Sequence, residues 1–146
     1  MEGLIIQVPR SMKPHYPTYA RVLHPELEQV GRETYDVRKH VRQWLHPCLQ
    51  TDLSVTGHEI HLELKEKQLL SRCLNLQDAK AIKELGLDTF RQLFGGKAVF
   101  FWGSIIIGHN NHLQVPFLFD KRGEFVFEWF RVGYPFDANH PALLFS

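Results

Sequence analysis

Apolar and polar positions change period several times along this chain, and each change marks an element. The densest apolar stretch covers residues 98–132 and divides into three runs of strand length: Ala-Val-Phe-Phe-Trp-Gly-Ser-Ile-Ile-Ile, Leu-Gln-Val-Pro-Phe-Leu-Phe and Glu-Phe-Val-Phe-Glu-Trp-Phe-Arg-Val. Between them lie Gly108-His109-Asn110-Asn111-His112 and Asp120-Lys121-Arg122-Gly123, both rich in turn formers. The pattern predicts a three-stranded antiparallel meander. Its first strand, 98–107, is apolar on both faces and calls for cover on both sides. The third places Phe125, Phe127 and Trp129 on one face and Glu124, Val126, Glu128, Phe130 and Val132 on the other; its charges suit a position near an edge. Pro116 has no N–H to give to a ladder, so one side of the middle strand must face an edge, a bulge or solvent.

Upstream, the short apolar run at 4–8 reads as a strand stopped by Pro9, and residues 10–24, with Pro14 and Pro17, read as an extended connection. From Pro25 to Leu45 the positions Leu27, Val30, Thr34, Val37, Val41 and Trp44 step by three and four, which predicts one long helix over 26–45 ended by Pro47. Residues 53–64 alternate and predict a half-buried hairpin turning at Thr56-Gly57. The run 65–74 fits either a further strand or a short helix. Asn75 with Asp78 three residues on has the form of a capping box opening a helix that Gly86 closes, and a second short helix follows to Phe94, before Gly95-Gly96. Leu85-Gly86-Leu87 followed by Phe90 and Phe94 resembles helix-turn-helix and sterile-alpha-motif segments, but the second helix offers only Arg91 and Gln92 as base-reading side chains, and the pair reads as a packing corner. Apolar residues close the chain at Leu143-Leu144-Phe145, where a terminus must be tied down on the domain or on a partner.

These elements predict a single α+β domain over residues 1–146, an antiparallel sheet (the C-terminal meander plus earlier strands) packed with one long and two short helices. A chain of 146 residues with 44% hydrophobic and 12% aromatic content can bury a substantial core. Seventeen Lys and Arg against sixteen Asp and Glu leave no global charge to draw nucleic acid or an anionic membrane. The two cysteines, Cys48 and Cys73, fit no metal or redox spacing and are expected reduced. Residues 1–9 lack a basic region and a long apolar run, and no stretch approaches a membrane span, so the expectation is a cytoplasmic protein with no membrane partner.

The motif closest to chemistry is Gly-His-x-x-His, present at 57–61 and again at 108–112. Together His58, His61, His109 and His112 could hold zinc or another transition metal, as a metal-dependent hydrolase would need. On a strand, however, residues three apart diverge, and His109 and His112 flank a turn where polar side chains are ordinarily solvated. No spacing selects a general base among the histidines with Asp120, Asp137 or Glu128 to orient it, nor a nucleophile between Cys48 and Cys73. Phe94-Gly95-Gly96-Lys97 follows a helix and precedes a strand, the reverse of a phosphate-binding loop.

By elimination the expected function is that of a small non-catalytic protein-binding module, inhibitor, immunity, adaptor or chaperone-like, with another protein as partner and no resident cofactor. A homodimer is one form such a partner could take. Its contact surface is expected from Tyr16, Tyr19, Asn110, Asn111, Trp129, Arg131, Tyr134 and Phe136, because interfaces favour aromatic residues and Arg. The alternatives are the histidine-cluster hydrolase and a single-stranded nucleic-acid binder that stacks bases on Trp129 and Tyr134 beside Arg131.

Overall fold

A computed structural model describes residues 3–51 and 53–146. The meander is its framework. Strands β8 (Leu113–Lys121) and β9 (Glu124–Arg131) pair along their whole length. They turn through Arg122 and Gly123, both at positive φ (51° and 93°), as a two-residue hairpin requires. Asp120 Oδ1 accepts the Gly123 N–H at 2.8 Å.

The expected first strand is broken into β6 (Val99–Phe100) and β7 (Ile106–Ile107), with a 3-10 turn at Trp102–Ser104 between them. Gly103 explains the break. Its N–H donates to Leu74 O at 3.1 Å, and a Cβ there would stand 3.0 Å from that of Asn75. Both short strands pair antiparallel with β8 opposite the edge that β9 takes. Pro116 falls between them: its carbonyl accepts from Phe101 N, so its missing N–H faces the break, as the sequence required.

The last residues form β11 (Ala142–Phe145), buried throughout, parallel to β6 on one side and antiparallel to β4 (Val41–Trp44) on the other. A two-residue strand, β2 (Arg21–Val22), adds to β7. Two smaller antiparallel pairs complete the strands: β1 (Ile5–Gln7) with β3 (Thr34–Asp36), and β10 (Pro135–Phe136) with β5 (Val55–Thr56).

Two readings fail, for different reasons. No long helix occupies 26–45: a 3-10 turn (Pro25–Leu27), β3, one helical turn α1 (Val37–His40) and β4 take its place. Gly31 at φ +133° interrupts the helix, and Asp36 caps a new one by accepting from Arg38 N and Lys39 N. Pairing with β1 and β11 then decides the rest, because β-branched Thr34 and Val41 suit strands. Conversely, the expected hairpin at 53–64 is mostly helix, α2 (Gly57–Glu66). Its alternation also satisfies a helical face, since Gly57, Ile60, His61 and Leu64 are the buried residues, and Glu, Leu and Lys favour helix. The ambiguous run 65–74 begins with the last two residues of α2 and then holds a 3-10 turn, Leu70–Arg72, and a bridge from Cys73 to Leu144.

Helices α3 (Leu76–Glu84) and α4 (Leu87–Phe94) form as the sequence predicts. They cover one face of the sheet, where Ala79, Ile82, Phe90 and Phe94 meet Val99, Phe101, Leu118 and Leu143. On the opposite face, Ile60 and Leu64 of α2 pack with Leu49, Phe100, Trp102, Val115, Phe117, Phe136 and Leu144. The fold is α+β, one sheet between two apolar cores. No helix among the described residues is long and apolar enough to cross a membrane.

Candidate functional site

One segment is fastened across α3, and that attachment shapes an apolar groove on the surface. Arg10, 6% exposed, forms an ion pair with the fully buried Asp78 (Nη2 to Oδ1, 2.6 Å) and also donates to Asn75 Oδ1 and Arg32 O. The Tyr35 hydroxyl donates to the same carboxylate at 2.7 Å, and burial pushes its ionisation far above the ordinary tyrosine range. Asp78 Oδ2 also accepts the Asn75 N–H, so the predicted capping box is present and is built into this network. Each polar group in it has a partner, which is the condition for burying charge without a large penalty.

Held in this way, residues 9–15 run alongside α3. Gln77 strengthens the attachment by donating to the Met12 carbonyl. Between the segment, α3 and β9 lies a groove of about 410 Å3. Its apolar lining is Pro9, Met12, Pro14, Leu76 and Phe127; its polar lining is Lys13, His15, Gln77, Lys80 and Lys83. Gln77, Lys80 and Lys83 project from one stripe of α3 because they are three residues apart. Three lysines and a histidine therefore ring an apolar floor to which no carboxylate among the described residues contributes. Met12 is 63% exposed, and Lys83 also stands over the Phe125 ring. The Tyr16 ring meets Trp129 at 6.3 Å and Trp129 meets Phe127, so two of the predicted contact residues extend the groove wall. Burial raises the Tyr16 hydroxyl to about 12, keeping it neutral.

The other predicted residues lie elsewhere. Tyr19 stacks on His109 at 3.9 Å, and Asn110 and Asn111 form an exposed turn at positive φ, with Asn111 accepting from Arg21. Arg131 lies over the Tyr134 ring and donates to its hydroxyl. Phe136 does not reach the surface at all: it is 1% exposed, packed among Phe100, Trp102 and Phe130, and belongs to the core. An aromatic residue beside a proline near a terminus carried no signal to separate core from contact.

Nor do the four histidines gather. His109 and His112 stay on the exposed turn, His58 and His61 stand on α2, and no group of three or more His, Cys, Asp or Glu suited to a metal ion exists among the described residues. His61 instead meets His24, with their Nε2 atoms 3.0 Å apart. Burial, and then the neighbouring His24, lowers the His61 pKa to about 4. The Cys73 thiol is buried and raised far above its ordinary range, which leaves it unreactive.

The sequence reading missed Met12, Lys13, Lys80, Lys83 and Phe127 as one surface. The available signal was the spacing of Gln77, Lys80 and Lys83 on a well-capped helix; what joins it to the loop is the Arg10–Asp78 pair, which spans 68 residues and leaves no local trace. No family model matches this chain, and no curated protein or solved structure matches it significantly.

Proposed function

We propose that this protein is a non-catalytic binding module whose groove between residues 9–15, α3 and β9 receives an acidic protein segment carrying an apolar anchor. The observation that carries the reading is the lining: an apolar floor, three lysines and, among the described residues, no carboxylate. The overall charge is only +1, so this concentration of positive charge is local and would steer an acidic partner without attracting polyanions in general. An apolar side chain seated over Leu76 and Phe127 supplies burial, and the lysines set orientation. The apolar floor is Phe127 with Leu, Met and Pro around it, and the Tyr16 and Trp129 rings beyond it are packed on one another, which suits an aliphatic or aromatic anchor better than a run of stacked bases.

The test is selection from a random peptide library displayed against the purified chain. The expected winners pair two or more Asp or Glu with Leu, Phe or Trp, and their affinity falls at least tenfold in Lys80→Glu/Lys83→Glu and at high salt. Selection without acidic enrichment, equal binding by the charge-reversed variant, or preference for single-stranded oligonucleotides over peptides would contradict it.

A further inference from the structure

The pairing of His24 with His61 belongs to neither the groove nor the cores. His24 follows β2, where Leu23 N donates to Ile105 O at 2.9 Å and fixes the backbone beside it. His61 lies on the buried side of α2, its ring parallel to that of Trp102 with centroids 6.2 Å apart. The two imidazoles thus come from separate elements, both held by packing, and meet Nε2 to Nε2 at 3.0 Å. Glu26 Oε1 stands 3.4 Å from His24 Nδ1, on the far side of the ring from His61, and of the two facing Nε2 atoms one donates and the other accepts according to tautomer.

We propose that His24 and His61 are the two protein ligands of a transition-metal site, binding an ion of the Zn(II), Ni(II) or Cu(II) class through both Nε2 atoms, with water in the remaining positions. Metal–nitrogen bonds of about 2.0–2.1 Å subtending 90° to 110° place two ligating nitrogens about 2.9–3.4 Å apart, and the observed spacing falls inside that range. Without the ion, one Nε2–H occupies the space between the rings. On binding, the ring that donates carries its proton on Nδ1 instead, so that both Nε2 lone pairs are free to ligate. The His24 side chain is 15% exposed, so the ion is reached from its side. Two protein ligands imply micromolar affinity and open coordination positions, unlike a closed structural zinc site.

The experiment uses the tag-free chain, stripped with chelator and titrated with Zn(II) and separately with Cu(II) by calorimetry. One equivalent with micromolar affinity is expected, weakened at least tenfold in His24→Ala and unchanged in His109→Ala/His112→Ala. Because His61 is buried, it is examined in the unmutated chain: imidazole 15N spectra should show the Nε2 resonances of His24 and His61, and of no other histidine, moving to metal-bound positions. Absence of saturable uptake, uptake undiminished in His24→Ala, or stationary His61 Nε2 resonances would overturn the proposal.

Discussion

Helices α3 and α2 are of nearly equal length, nine and ten residues, and lie against opposite faces of one sheet, yet they begin in opposite ways. At the start of α3, Asn75 and Asp78 cap each other, and the same carboxylate holds Arg10 and Tyr35. At the start of α2, Thr56 makes no side-chain cap; instead Gly57 is pressed against the Val132 carbonyl and the Phe136 ring. One helix is fixed by local polar chemistry that doubles as a long-range tie, the other by close packing and a backbone hydrogen bond from Gly57 N to Tyr134 O. The difference extends to function, because α3 presents lysines over a groove whereas α2 carries a histidine inward to meet another.

The comparison breaks most severely at Asp78. Asp78→Ala removes the cap, the partner of Tyr35 and the counter-charge of buried Arg10, and should cost about 3–5 kcal/mol in urea unfolding. A loss under 1 kcal/mol would mean that the network contributes little. Next comes acidity, which should act on the α2 side. In chelator-treated protein, His61 has a folded pKa of about 4 against an ordinary value of 6.5, with His24, Lys65 and His58 adding their charges to the effect of burial. Below pH 6.5 the unfolded chain takes up a proton that the fold refuses, so stability should fall by roughly 2–3 kcal/mol between pH 6.5 and 4 and then level off for this group. His61→Gln should flatten the fall; the smaller depression at His140 leaves a residual slope.

Gly57→Ala sharpens the contrast by its sign. On an ordinary helix the change would stabilise by up to about 1 kcal/mol, but here the added Cβ meets the Val132 backbone, and a loss of about 1–3 kcal/mol is expected from thermal unfolding. The smallest effect is Thr56→Ala, under about 0.5 kcal/mol because no cap bond is lost, whereas Asn75→Ala should cost about 1 kcal/mol or more.

Legibility in the sequence followed the same division. Asn75, Asp78 and Gly86 announce α3 through side chains and glycine placed within one helix, and the β8–β9 hairpin announces itself through Arg122-Gly123 and alternation. Residues 25–66 do not. Their apolar spacing fits helix and strand alike, and the choice is made by β1, β11 and Val132, all remote in sequence. The candidate surface was half legible for the same reason: Tyr16 and Trp129 adjoin the groove through Phe127, but the lysine stripe becomes a groove rim only once Arg10 reaches Asp78. His24 and His61, 37 residues apart, one closing an extended connection and the other on a segment that reads as a hairpin but folds as α2, could not be paired from spacing.

The most direct test of the central claim is amide NMR of the chain titrated with a peptide taken from the acidic, apolar-anchored selection. The account predicts shifts confined to residues 9–15, the Gln77, Lys80 and Lys83 stripe and Phe127, and their loss in Lys80→Glu/Lys83→Glu with the remaining spectrum intact. Shifts centred on the Asn110–Asn111 turn or on Arg131 and Tyr134, with the groove silent, would contradict it.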